Sequence, residues 1–127
     1  MRPVHFEIHA ADPERCASFY RDVFGWEIER IQAFEYWLVR TGEGEPGIDG
    51  GILRRMGDNP DPAEPTPVVA SVLTVQVPDV DATIEKIRAS GGTEALPKAH
   101  HPGIGLLAYW KDTESNLFGV LQPESGG

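Results

Sequence analysis

Three side chains near the amino terminus have types and spacing suited to chemistry. His5, Glu7 and His9 alternate with Phe6, Ile8 and Ala10 in the run HFEIHA. A strand sends successive side chains to opposite faces, so the two imidazoles and the carboxylate share one face, about 6–7 Å apart from one to the next. An imidazole titrates near neutrality and can act as a general base or a metal ligand; a carboxylate can do either as well. His100 and His101 form a second pair, expected in a loop between Pro97 and Pro102. Trp26, Trp37, Tyr109 and Trp110 offer flat rings for stacking on a planar ligand, although core packing accounts for at least two of them. Tyr109 and Trp110 are neighbours on one strand and point opposite ways. Cys16 lies on an apolar helix stripe and reads as a buried thiol rather than a nucleophile. Asp112, Glu114 and Asn116 read as turn formers, and Gly103-Ile104-Gly105 as a turn rather than a phosphate cradle.

The elements that position these residues repeat. Val4 to Ala10 reads as a strand. Asp12 caps a helix with Pro13 at its first position, and Cys16, Phe19, Tyr20, Val23 and Phe24 form its buried stripe. Gly25 ends it. Strands follow at Trp26 to Ile31, Tyr36 to Thr41 and Ile48 to Arg55. In the last of these, Gly50-Gly51 signals a bulge or the close approach of another group. Four prolines (Pro60, Pro62, Pro65, Pro67) then mark an extended connection. Val68 to Val77 reads as a strand, Asp79 caps a helix with Val80, Ile84 and Ile87 on one side, and Gly91-Gly92 ends it. Strands follow at Thr93 to Leu96, Gly105 to Lys111 and Leu117 to Gln122, and the tail PESGG reads as frayed. Asp12 and Asp79 lie 67 residues apart (79 − 12), as do Gly25 and Gly92 (92 − 25). The chain is thus one domain over 1–127, with module one at 3–55, a proline-rich linker at 56–67 and module two at 68–123.

The chain has 127 residues, a formal net charge of -9 and a pI near 4.8. An acidic surface is repelled by nucleic acid and by anionic membranes, so neither is expected as a partner. The single cysteine rules out an internal disulfide and a four-cysteine zinc site. No apolar run is long enough for a bilayer-spanning helix. The N-terminal MRPVHFEIHA lacks the apolar stretch of a secretion signal, and a cytoplasmic protein is expected.

This order of elements, with FYRDVFGW (Phe19 to Trp26), IRASGG (Ile87 to Gly92) and KDTESNLFG (Lys111 to Gly119), resembles the vicinal oxygen chelate superfamily. That group includes glyoxalase I, extradiol dioxygenases, and fosfomycin- and bleomycin-resistance proteins. The resemblance runs from about Val4 to Gln122. It implies an α+β fold of two βαβββ modules forming a curled mixed sheet with a concave cavity, helices on the convex side, and a homodimer. Metal-dependent members hold a divalent ion with ligands on the first and last strands of each module. Carried over one position at a time, His5 matches a ligand. Gly51 or Leu53, then Val72, then Gly119 fall at the other three positions, and none can ligate through its side chain. No cofactor is therefore expected.

The expected function is that of a glyoxalase/bleomycin-resistance-like small-molecule-binding protein without the usual divalent metal. The ligand-binding residues expected are His5, Glu7, His9, Trp37, Thr74, Gln76 and Tyr109, with His5 the candidate for catalysis. Two alternatives stand beside this. One is a lyase, isomerase or dioxygenase-type enzyme using a rearranged metal site, from a first-strand pair plus a loop histidine, or using a histidine base. The other is a non-catalytic dimeric interaction subunit.

Overall fold

The computed structural model describes residues 2–32, 35–64 and 71–124. Contacts divide the chain into two units, Met1–Pro60 and Asp61–Gly127. The first contains β1 (His5–Ala10), α1 (Pro13–Phe24), β2 (Glu27–Ile31), β3 (Tyr36–Arg40) and β4 (Asp49–Arg54). The second contains β5 (Leu73–Gln76), α2 (Val80–Ala89), β6 (Thr93–His101), β7 (Gly105–Lys111) and β8 (Leu117–Pro123). Each unit is a βαβββ module with its own four-stranded sheet, in the order β1-β4-β3-β2 and β5-β8-β7-β6. In each sheet the first and last strands run parallel and the remaining pairs antiparallel, so both sheets are mixed. The class is α+β, as the order of elements predicts.

Both helices start where their caps predict. Asp12 accepts the Arg15 amide at 3.1 Å and Asp79 the Ala82 amide at 3.1 Å, each satisfying an N–H that the first helical turn leaves unpaired. Gly25 closes α1 with φ 71°, a left-handed conformation that glycine adopts without penalty. The stripe of α1 buries Cys16, Phe19, Tyr20 and Val23 against the sheet. There Tyr20 stacks on Trp26 with ring centroids 5.0 Å apart, and Phe6 and Phe24 join the cluster. On α2 the buried residues are Val80, Thr83 and Ile87, with Ile84 only half-buried. Thr83 tolerates that position because its hydroxyl donates to the Asp79 carbonyl at 2.9 Å.

Two readings of the sequence need correction, and one alternative left open there is decided. The strand expected at Thr93 to Leu96 continues through Pro97 to His101, so His100 and His101 lie on β6 and not in a loop. Two register irregularities, between Glu94 and Leu96 and between Leu96 and Ala99, bracket Pro97. β6 is an edge strand, and an edge with bulges can hold a proline that has no amide to donate. Second, Gly50-Gly51 does not form a bulge. β4 keeps an unbroken register with β1, and the glycines reflect close approach instead. Third, the tail is tied at its start. Pro123 ends β8, and the Glu124 carboxylate accepts the Gly103 amide at 3.2 Å and meets His100 Nε2. The strand expected from Val68 begins at Leu73, with Val68 to Ala70 outside the described residues. Within the proline-rich stretch, Met56 to Glu64 contains no helix or strand, and Pro65 and Pro67 lie outside the described residues, as do Ser125 to Gly127.

Candidate functional site

The sheet of unit 1 has a helix face and an open face. Phe6, Ile8 and Ala10 of β1, Ile52 of β4, and Trp37 and Val39 of β3 point to α1, and apart from the half-buried Phe6 all are buried. Pleating sends His5, Glu7 and His9 to the other face, where all three are exposed. The register adds Gly51 and Leu53 of β4, then Tyr36 and Leu38 of β3, to this open face.

Tyr36 organises the face. Its hydroxyl lies 3.1 Å from His5 Nε2. Its ring lies so close over Gly51 that a Cβ on that residue would collide with ring and hydroxyl. Glycine is therefore required there for the tyrosine to reach the histidine across β4. Partial burial, then the Glu7 carboxylate, push the Tyr36 phenol above its ordinary range. The phenol thus stays protonated as a hydrogen-bonding group through neutral pH. Sequence reasoning missed Tyr36. The signal was Gly51, since a glycine inside a strand marks the approach of another group.

Trp37 does not belong to this face. It is 3% exposed and lies on the helix side. Its Nε1 donates to Glu14 of α1 at 2.8 Å, and the Arg30 guanidinium lies 5.1 Å from its ring centroid. The expectation that Trp37 forms an apolar wall for a ligand fails by parity, because Tyr36 and Trp37 are adjacent on one strand and only one can face out. The Arg21 guanidinium, and then the Trp37 indole N–H, hold the Glu14 carboxyl below its usual range. Trp26 and Trp110 are core residues as well.

Unit 2 repeats the arrangement on a smaller scale. Thr74 and Gln76 of β5 are exposed, and the register places them beside Gly119 and Leu121 of β8. Tyr109 of β7 pairs with Gly119 from the other side. A Cβ at Gly119 would stand 2.9 Å from the Thr74 hydroxyl and 3.1 Å from the Tyr109 ring. Trp110, the neighbour of Tyr109, points to the helix face and is buried. His100 is engaged by Glu124. Cys16 is buried in α1. Asp112 forms the predicted turn before β8, accepting the amides of Glu114 at 2.8 Å and Asn116 at 3.0 Å.

These residues do not fit a divalent metal. Among the described residues no three His, Cys, Asp or Glu side chains gather around one point. His5, Glu7 and His9 project side by side rather than converging. Gly51 and Gly119 occupy last-strand positions, and each is covered by a tyrosine ring instead of bearing a carboxylate.

Comparison with known proteins agrees with the fold. The family model described as Bleomycin resistance protein-like N-terminal matches residues 2–42, a span that holds both His5 and Tyr36. A "Glyoxylase-like domain-containing protein" of Didymella fabae is 27% identical over 125 residues, covering 90% of this chain and 88% of that protein. The fosfomycin resistance protein FosX from Listeria monocytogenes, solved as a mutant with Mn(II) and 1S,2S-dihydroxypropylphosphonic acid, superposes with a TM-score of 0.74 at 18% identity, over 98% of this chain and 91% of FosX. A glyoxalase/bleomycin resistance protein/dioxygenase family enzyme from Burkholderia phytofirmans PsJN gives a TM-score of 0.72 at 18% identity, over 94% of this chain and 96% of the other. The fold is that of the vicinal oxygen chelate superfamily. No helix among the described residues is long and apolar enough to cross a membrane.

Proposed function

We propose that this chain is a glyoxalase/bleomycin-resistance-like protein that binds a small organic molecule without a divalent metal. The binding surface is the open face of unit 1, where His5, Glu7, His9 and Tyr36 meet the ligand. Thr74, Gln76 and Tyr109 form a lesser polar patch on the open face of unit 2. The observation that carries this reading is the Tyr36 hydroxyl on His5 Nε2, seated over Gly51. It is a preorganised polar pair on an exposed sheet face, bordered by the half-buried Leu38 and Leu53. Few polar groups among apolar neighbours is the usual make-up of a small-molecule site.

The test has two parts. Elemental analysis after dialysis against Mn, Fe, Ni and Zn is expected to find no stoichiometric metal; a full equivalent lost in His5→Ala would overturn the metal-free reading. A fragment screen followed by NMR is expected to give binders that shift the His5 and Tyr36 ring signals and are lost in His5→Ala. The same imidazole–phenol bond also favours a second reading, a lyase or isomerase with His5 as general base, since such a base needs a partner within hydrogen-bond reach. Turnover of a screened binder, abolished in His5→Ala, would select that reading. The family resemblance further carries the proposal of a homodimer, which sedimentation equilibrium checks.

A further inference from the structure

The charge and hydrogen-bonding pattern beside Tyr36 bears on which ligand the face accepts. Two other carboxylates of this face have polar neighbours. Asp49 accepts the Thr41 amide at 2.9 Å, and Glu29 lies 3.9 Å from the Arg40 guanidinium. Glu7 is different. It is exposed, it stands on β1 between His5 and His9, and among the described residues it forms no hydrogen bond or ion pair. Its strand partner is Gly51, the residue under the Tyr36 ring. Its charge reaches the Tyr36 phenol. An ionised carboxylate only accepts hydrogen bonds, and the phenol oxygen beside it keeps acceptor capacity whichever of Tyr36 and His5 donates in their contact. Among the described residues no arginine or lysine pairs with Glu7 or His5.

We propose that the open face of unit 1 selects a planar organic ligand with an N–H donor head and no negative charge, with Glu7 receiving the donor and the Tyr36–His5 pair fixing its orientation. This rests on the binding reading above and narrows it. An anionic head would meet Glu7 with no cation paired to that carboxylate to offset the repulsion. A cationic or amide head gains a charge-assisted hydrogen bond instead. A planar body suits the aromatic ring of Tyr36, which offers it a stacking surface. Gly51 takes part without a side chain, because it leaves the room that the Tyr36 ring occupies beside Glu7.

Three probes of one shape and different charge test this on the full chain: benzamidinium, benzamide and benzoate, each followed through the His5 and Tyr36 ring signals. The expected order of affinity is benzamidinium, then benzamide, then benzoate, with about tenfold between the first and last, because reversing a ligand charge beside one exposed carboxylate changes binding by that order. Glu7→Gln is expected to bring the three within about twofold of one another. Glu7 is exposed, so this variant keeps the fold, and the wild-type order stands as a test by itself. Benzoate binding as tightly as benzamidinium, or an order unchanged in Glu7→Gln, would overturn the selectivity while leaving the binding surface in place. If none of the three moves His5 or Tyr36 at millimolar concentration, the binding surface fails, and this inference with it.

Discussion

At the scale of single residues, the site depends on a side chain that is absent as much as on those present. Tyr36 can reach His5 only because Gly51 has no Cβ in its path. Gly51→Ala therefore moves the tyrosine ring and breaks the contact with His5. The phenol itself gives a measurable quantity. Its ordinary value is 10.0, and burial followed by the Glu7 charge raise it. A group whose folded-state pKa lies above its unfolded value stabilises the fold below the unfolded value and loses that contribution as pH rises through the folded one. Stability is thus expected to fall as pH climbs above the ordinary phenol range, and Tyr36→Phe is expected to flatten that fall. Ultraviolet titration should show Tyr36 ionising later than an exposed tyrosine. Glu7→Gln should bring it back only in part, since burial is the larger cause. A wild-type Tyr36 that ionises at the ordinary phenol value would show that burial and the Glu7 charge do not act on it. Alternation alone makes His5, Glu7 and His9 visible in the sequence. Tyr36 is not visible there, because only the antiparallel register of β3 on β4, which pairs Tyr36 with Leu53, brings its ring diagonally over Gly51.

At the scale of elements, what is legible in the sequence is what local chemistry decides. Asp12-Pro13 and Asp79 start helices because a carboxylate caps free amides, and Gly25 ends one because it accepts a left-handed backbone. What is not legible depends on neighbours in space. Pro97 argues against a strand in isolation, yet β6 lies at an edge where no partner needs its missing amide. Aromatic composition does not reveal parity until the register is known, so the ligand wall expected of Trp37 falls on the wrong face. The actual role of Trp37 is to fasten α1 to β3 through the 2.8 Å bond from Nε1 to Glu14. Trp37→Phe removes that donor and leaves space in a buried position. A loss of about 1–3 kcal/mol at neutral pH is expected in chemical denaturation. The Glu14 carboxyl is held below 4.5, first by Arg21 and then by Trp37. A depressed carboxylate stabilises above its unfolded value and loses this as pH falls through the folded one. The wild-type advantage over Trp37→Phe should therefore shrink as acid protonates Glu14. A difference that stays constant through the carboxylate range would show that packing alone, not the hydrogen bond, carries the effect.

At the scale of the whole molecule, the chain is a module used twice with different fillings. The caps keep an offset of 67 (79 − 12), and the tyrosine-covered glycines one of 68 (119 − 51), so module two has a net gain of one residue ahead of its last strand. Where the first module puts His5 and Glu7, the offset of 67 gives Val72 and Thr74. Backbone plan is shared while ionisable chemistry is concentrated in unit 1. Unit 2 instead carries its charge inward. Lys111 at the end of β7 is 3% exposed, and its ammonium donates to the backbone carbonyls of Glu64 at 2.8 Å and Pro62 at 3.3 Å. A buried ammonium is tolerated when its donors are satisfied, and here it fixes an irregular segment. The segment also holds a local turn in which the Asp61 carboxylate accepts the Ala63 amide at 2.9 Å and its carbonyl the Glu64 amide at 3.1 Å. Lys111→Met keeps the apolar stem and removes the donors. Amide hydrogen exchange at Ala63 and Glu64 is expected to speed up markedly in this variant, because the turn loses its anchor. Amides of α2 and β8 should exchange at wild-type rates, because their hydrogen bonds do not involve the Lys111 ammonium. Faster exchange spread across β8 would mean that Lys111 supports the sheet itself. Unchanged exchange at Ala63 and Glu64 would mean that the two carbonyl contacts do not restrain the segment.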